Sequence, residues 1–249
     1  MRKEEWCELH FGDVMPDCLP LPDKREDYVS EWQACSVTVK DCPDVPELAA
    51  SIAFLLGVYG GIGEAGFLVR KKEGWLPLRL QWDKETSGAA LADKAHEMMQ
   101  EGDSFAWSKQ EAWDVLGQEK GRGIAFSEIG DVPQEERDGF ALIFQADSDG
   151  LRVNYATSCY TEGFIRVLAH SWQEIVLSFP KAALLSDVCI TDAETRKMLD
   201  SFNQTVRDYD RKATVIDQFR ACAAKKPDHV AVVYEERSYT YAEVDDLSD

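Results

Sequence analysis

A mixed α/β sandwich, a sheet covered by helices, is the fold class this sequence predicts. Segments with strand character alternate with segments of helical period along the chain. One strong hairpin signal, Asp147-Ser148-Asp149-Gly150, lies between two apolar runs. The longest apolar stretch, 48–58, is too short to span a bilayer and suits a buried helix.

Taken in order, residues 1–30 carry no clear period and read as a lead-in. Leu19-Pro20-Leu21-Pro22-Asp23 is extended there, because proline biases its predecessor away from helix. Trp32 to Lys40 alternates as a half-buried strand does, with Cys35, Val37 and Val39 on one face. Asp44 is placed to cap a helix with Pro46 in its first turn. Its body, 48–56, is apolar on nearly all sides, and Gly60-Gly61-Ile62-Gly63 ends it as a helix stop. Strands at 66–70 and 76–82 flank Lys72-Glu73-Gly74, a hairpin turn.

Ser87 to Glu101 is helical, with Leu91, Ala95, Met98 and Met99 as its apolar stripe and Gly102 as its stop. A shorter helix follows over 108–116. Strands are predicted at 124–129, 140–146 and 151–156, then an amphipathic helix over 161–179. Phe164, Val167, Leu168, Trp172, Ile175 and Leu177 are its candidate core positions. The pattern loosens from Pro180 to Arg211, with a short helix at 193–202. A threonine-capped helix over 214–224, strands at 230–235 and 237–240, and a helix from Tyr241 complete the chain. Because the last residue, Asp249, falls inside a helix, the sequence is expected to be a piece of a longer polypeptide.

With 249 residues and 45% hydrophobic content the chain can bury a core without metal or disulfide staples. A net charge of -19 disfavours nucleic acid and anionic membrane as partners. The seven cysteines are odd in number, widely spaced and free of any CxxC pair, which excludes a disulfide framework or a zinc pattern and suits a cytoplasmic protein. Met1 to His10 has no apolar core of a secretory signal.

The C-terminal third is the most informative. Phe202-Asn203-Gln204-Thr205 is followed by Thr214-Val215-Ile216-Asp217-Gln218-Phe219, then by Lys226-Pro227-Asp228-His229-Val230-Ala231-Val232-Val233, then by Tyr239-Thr240-Tyr241-Ala242-Glu243-Val244. This order resembles the junction into an adenylation domain of non-ribosomal peptide synthetases. Upstream, 140–144, Leu151-Arg152-Val153-Asn154-Tyr155, Thr161 to Ile165 and Trp172 resemble the last strands and last long helix of a condensation domain. Trp6 with 19–23 is similar to the crossover between that family's two lobes, and 48–59 to the buried helix opening its C-terminal lobe. The resemblance implies one lobe of a chloramphenicol-acetyltransferase-like fold over 1–179, an interdomain linker over 180–211 and the N-terminal fragment of an adenylation domain over 212–249.

The chain departs from the family where chemistry is concerned. Condensation domains carry a His-His-x-x-x-Asp-Gly motif in their N-terminal lobe. Here His10, His96, His170 and His229 are scattered, and none precedes an Asp-Gly. His170 on an apolar helix reads as packed or surface, His10 and His96 as solvated, and His229 as a variable position. Gly60 to Gly63 lacks the Lys-Ser/Thr of a phosphate loop and follows a helix instead of opening one. Ser158-Cys159 has no base near it in sequence. Glu135, Glu136 and Asp131 form a charged loop and not an acid/base pair. No catalytic, cofactor-binding or metal residue is therefore assigned.

The expectation is a non-catalytic half-condensation lobe that serves as a platform for the adenylation domain of an initiation or loading module. The parent would be a synthetase, or a peptide/polyketide hybrid, making a secondary metabolite such as an antibiotic. ATP, magnesium and phosphopantetheine are implied for that parent and not for this stretch. The adenylation domain of the same chain is the expected partner, with a carrier protein as a further one. Two alternatives stand beside it: half of an active amide-forming condensation domain whose histidine-bearing lobe lies upstream, and a carrier-protein docking module.

Overall fold

The computed structural model describes residues 1–14, 17–20, 31–118, 121–147, 150–191, 193–208 and 213–248. The helices are α1 (Lys3–Phe11), α2 (Val45–Gly60), α3 (Gly88–Gly102), α4 (Lys109–Leu116), α5 (Glu162–Ser178), α6 (Ala193–Phe202), α7 (Val215–Lys225) and α8 (Tyr241–Ser248). The strands are β1 (Trp32–Thr38), β2 (Glu64–Lys71), β3 (Gly74–Gln81), β4 (Gly123–Ser127), β5 (Phe140–Asp147), β6 (Gly150–Ala156), β7 (Val230–Tyr234) and β8 (Arg237–Thr240). The chain divides into two compact units, Met1–Met198 and Leu199–Asp249.

The first unit is built on a six-stranded sheet of order β1-β6-β5-β4-β2-β3. Strands β2, β4 and β5 run parallel, while β1–β6, β6–β5 and β2–β3 pair antiparallel, so the sheet is mixed. All five residues of β4 and unbroken runs in β2, β3 and β5 are buried, as expected where both faces of a sheet are covered.

Helix α2 carries the core. The Asp44 side chain accepts from the Glu47 N–H at 3.0 Å, Pro46 sits in the first turn, and Gly61 ends the helix with φ +67, a left-handed cap. Leu48 to Gly57 are buried without a break, against β2, α3 and α5. The indole N–H of Trp172 in α5 donates to Ser51 Oγ at 2.8 Å, and Ser51 in turn donates to the Leu48 carbonyl at 2.7 Å. Trp172 meets Phe144 of β5 edge-on at 5.1 Å, so one side chain joins α2, α5 and the sheet.

A second aromatic cluster forms around Phe140. Trp75 stacks on it at 5.2 Å and Trp113 of α4 lies at 4.9 Å. A register shift between β4 and β5 falls beside Phe140, so Phe140 meets α4 while Phe144 meets α5.

Four expectations are corrected. Residues 3–11, read as a lead-in, form helix α1, whose single fully buried side chain is Trp6. One tryptophan among charged residues gives little period to read, and the helix is held by tertiary contacts: Trp6 packs on Phe105 and Trp107 and donates to Glu101 at 3.1 Å. Gly102 is not a stop but the last residue of α3. Its missing side chain makes room for Leu76, whose Cδ1 would lie 2.4 Å from a Cβ there. Val167 and Leu177 are exposed, and Ile165, Ala169 and Val176 take the buried positions of α5 instead. His10 is half-buried against Trp6, with ring centroids 4.8 Å apart.

Leu21 to Asp23, Ser148, Asp149 and the 209–212 stretch lie outside the described residues. The flanking pair Asp147↔Gly150 does close an antiparallel hairpin. Beyond α5, Leu185 and Val188 are buried in the first unit's core, and the Leu185 N–H donates to the Thr86 carbonyl at 2.9 Å.

The second unit is a β7–β8 hairpin carrying α7 and α8, with Phe219 and Tyr241 in ring contact at 5.6 Å. Thr214 and Asp217 form a capping box at the start of α7, and Thr240 and Glu243 exchange the same bonds before α8. Val215, Ile216, Val230, Val233 and Tyr234 are exposed.

Gly123 tests the packing of the Phe140 cluster. A Cβ there would stand 2.1 Å from Cη2 of Trp113, whose indole is pinned by a 2.7 Å bond to the Gln118 carbonyl. Gly123→Ala is expected to cost about 1–3 kcal/mol, read as a lower urea midpoint at unchanged m-value. Gly163→Ala, where only Thr161 Oγ1 lies within 4 Å, at 3.9 Å, is expected to be neutral or slightly stabilising in the same assay.

Candidate functional site

A groove of about 560 Å³ opens where the β2–β3 hairpin, the α3–α4 connection and the end of β4 converge. That volume lies within the range of small-molecule sites. Trp75, Phe105 and Trp107 supply its aromatic wall, and Lys71, Asp103 and Glu128 its charged groups.

Each group is held by local structure. Trp107 donates its indole N–H to the Gly102 carbonyl at 3.1 Å, which fixes the ring against the end of α3. Lys3 of α1 lies 4.1 Å from the Trp107 centroid and donates to the Ala106 carbonyl at 2.7 Å. Lys71 and Asp103 pair across the mouth. Ser104 is committed to the Glu101 carbonyl at 2.6 Å. Glu128 follows β4, with its backbone N–H bonded to the Arg70 carbonyl at 3.2 Å. Burial pushes the Glu128 carboxyl above the ordinary range, Lys71 pulls it back and Asp103 adds to the rise.

Among the described lining residues the titratable groups are carboxylates and lysines, with no histidine or cysteine. A smaller hollow of about 280 Å³ is lined by His10, Arg79, Lys94, Glu97 and Glu101. There His10 Nε2 lies 3.4 Å from Glu101 Oε2, and Arg79 is committed to Glu64 at 2.7 Å.

The residues weighed from sequence lie on separate elements. His96 is exposed on α3, His170 is half-buried on α5 with Nδ1 3.2 Å from Gln173 Oε1, and His229 is exposed. Cys159 lies three residues past β6, its Sγ 3.8 Å from Ser158 Oγ. Burial raises the thiols of Cys7, Cys18, Cys35 and Cys42, which keeps them protonated and poorly nucleophilic. Glu136 pairs with Arg70 at 3.0 Å and Asp131 with Arg152 at 3.4 Å, so both serve the 128–139 loop. Gly61 caps α2 in the left-handed conformation, as expected of a helix stop. No group of three metal-ligating side chains occurs among the described residues, and no described helix is long and apolar enough to cross a membrane. Trp75, Trp107 and Glu128 were not singled out in sequence, because nothing in their local pattern separates a groove wall from a core position.

No family model matches the chain. Its curated relatives are nonribosomal peptide synthetases. Tyrocidine synthase 2 of Brevibacillus parabrevis is 30% identical over 99 residues, 39% of this chain and 3% of that protein. A nonribosomal peptide synthetase of Aspergillus flavus is 41% identical over 86 residues, 34% of this chain and 1% of that protein. A mycosubtilin synthase of Bacillus subtilis is 32% identical over 110 residues, 43% of this chain and 4% of that protein. The chain thus spans only a few per cent of these relatives' length.

Solved structures share the fold at low identity. The AMPPNP-bound nonribosomal peptide synthetase FmoA3 matches with TM-score 0.63 at 14% identity, over 96% of this chain and 31% of that one. The starter condensation domain of rhizomide synthetase matches with TM-score 0.60 at 15% identity, over 76% of this chain and 54% of that one. The X-domain solved in complex with OxyB from teicoplanin biosynthesis matches with TM-score 0.57 at 12% identity, over 76% of this chain and 55% of that one. The fold therefore defines the class: a mixed α/β lobe of the chloramphenicol-acetyltransferase-like condensation type. Sequence and fold both resemble a condensation-domain fragment of a nonribosomal peptide synthetase.

Glu128 offers a test with a definite sign. The folded chain holds this proton more tightly than the unfolded chain, so stability falls as pH rises from the unfolded to the folded pKa. The penalty is complete above the folded pKa and absent below the unfolded one. Glu128→Gln is expected to raise Tm by about 1–2 °C at neutral pH, since Glu128 is only partly buried. Near pH 3 the variant and the parent should melt together. A variant less stable at neutral pH would mean that the carboxylate is held by a favourable partner.

Proposed function

We propose that this chain is a non-catalytic half-condensation lobe that serves as a structural platform for an adenylation domain in an initiation or loading module of a nonribosomal peptide synthetase. What supports the reading is the extent of the likeness, which takes in 76% of this chain and 54% of a starter condensation domain. The dispersal of His10, His96, His170 and His229 over separate elements supports the same reading.

The exposed Val215, Ile216, Val230, Val233 and Tyr234 of the second unit suit a piece of a larger domain, whose remainder would cover them. In this reading the parent activates a carboxylic acid with ATP and magnesium and loads it onto a phosphopantetheine carrier. Those groups would bind beyond this stretch. A docking role is the second reading, favoured by the likeness to an X-domain solved in complex with OxyB.

The test is ATP–pyrophosphate exchange by the intact adenylating protein and by a form lacking residues 1–191, which removes the lobe ahead of α6. Exchange is expected to stay within about twofold while Tm drops by about 4 °C or more and solubility falls. Unchanged exchange with unchanged stability and solubility would defeat the platform reading and leave docking or condensation as the lobe's role.

A further inference from the structure

We propose that the open edge of β1 is a self-association surface, pairing antiparallel with β1 of a second copy of this chain about a two-fold axis at Ala34. The inference does not rest on the platform reading.

The hydrogen-bond parity of β1 follows from its register. The Thr157 N–H donates to the Glu31 carbonyl at 2.9 Å, and Trp32↔Ala156 to Thr38↔Gly150 continue that ladder. Gln33, Cys35 and Val37 therefore bond to β6, while Trp32, Ala34, Ser36 and Thr38 turn their backbone groups outward. The Thr38 carbonyl accepts from Gln173 Nε2 at 2.7 Å, which closes that end. Among the described residues the N–H and C=O groups of Trp32, Ala34 and Ser36 have no partner, and no strand but β6 lies beside β1.

The two edges of the sheet differ in how they resist pairing. Strand β3 carries Pro77, which has no N–H to offer, and Arg79, which is held by Glu64 at 2.7 Å. Strand β1 carries neither a charge nor a proline and has no bulge, and the exposed Ala34 and Ser36 leave a partner strand free to approach.

Self-pairing centred on Ala34 uses every N–H and C=O group of Trp32, Ala34 and Ser36. Ala34 opposes its own mate, and Trp32 opposes Ser36 of the other copy, making six backbone hydrogen bonds by the pairing rule of antiparallel strands (roughly two per hydrogen-bonded residue pair). Helix α5 lies against β1 and brings the Glu162–Arg166 pair near Cys35, beside the axis. The two-fold reverses that pair in the second copy, so Arg166 of each copy faces Glu162 of the other. Charge complementarity thus favours a second copy in this orientation. An edge of this length buries less than a standard interface, so the dimer is weak and reversible.

Sedimentation velocity of the chain from about 10 to 500 µM is the first measurement, a range that brackets a weak complex. The weight-average coefficient should rise toward a dimer. Ser36→Lys, which adds a charge to an exposed edge position, should hold the chain monomeric at every concentration with Tm unchanged. Ala34→Cys should form a dimer-sized disulfide under mild oxidation faster than the parent, because residues opposed in a hydrogen-bonded pair lie about 5.5 Å apart at Cα. A parent that stays monomeric, a dimer indifferent to Ser36→Lys, or an Ala34→Cys chain that cross-links no faster than the parent would each overturn the proposal.

Discussion

The burial of α2 is the constraint on which the first unit depends. A helix apolar on all sides from Leu48 to Gly57 has no face to offer water, so it must be enclosed. The sheet lies on one side, with α3 and α5 against it on others. Ser51 would be a liability in that position, since an unsatisfied buried hydroxyl costs about 1–3 kcal/mol. Its hydroxyl is instead used twice, as acceptor from Trp172 and donor to Leu48. The polar residue in the apolar helix thus fixes how α5 is rotated against α2, and α5 in turn covers β1 and β6.

The sheet's parallel centre imposes the second constraint. Strands β2, β4 and β5 are buried on both faces, and their connections must cross over to return in the same direction. The β4–β5 connection does so without an α-helix. It is held by scaffold groups: Ser127 and Gln145 both donate to the Gly130 carbonyl at 2.6 Å, and Lys109 donates to the Glu136 carbonyl at 2.7 Å. Asn154 completes the buried network by donating to Gln145. These bonds account for polar side chains inside the sheet at Ser127, Gln145 and Asn154, which would otherwise oppose burial.

Elements with a strong local signature were legible. The Asp44 and Thr214 caps and the glycine stop at Gly61 all act at the predicted positions. Helix α1 was not, because its stability comes from one buried tryptophan meeting Phe105 and Trp107 from a segment a hundred residues away. Gly102 shows the same limit. A glycine after an apolar stripe reads as a stop, yet here it is the close approach of Leu76 that asks for the missing side chain. The groove around Glu128 was invisible for a like reason, since its walls come from three connections with no shared local pattern.

The α/β class, most element positions and the likeness to a synthetase fragment are legible locally, because period, caps and turn residues act within a few positions of one another. Which side of α5 is buried, that α1 forms, and that β1 is the last described strand of the sheet came from tertiary packing. Those outcomes turn on contacts between distant segments, whose free energies no local window contains.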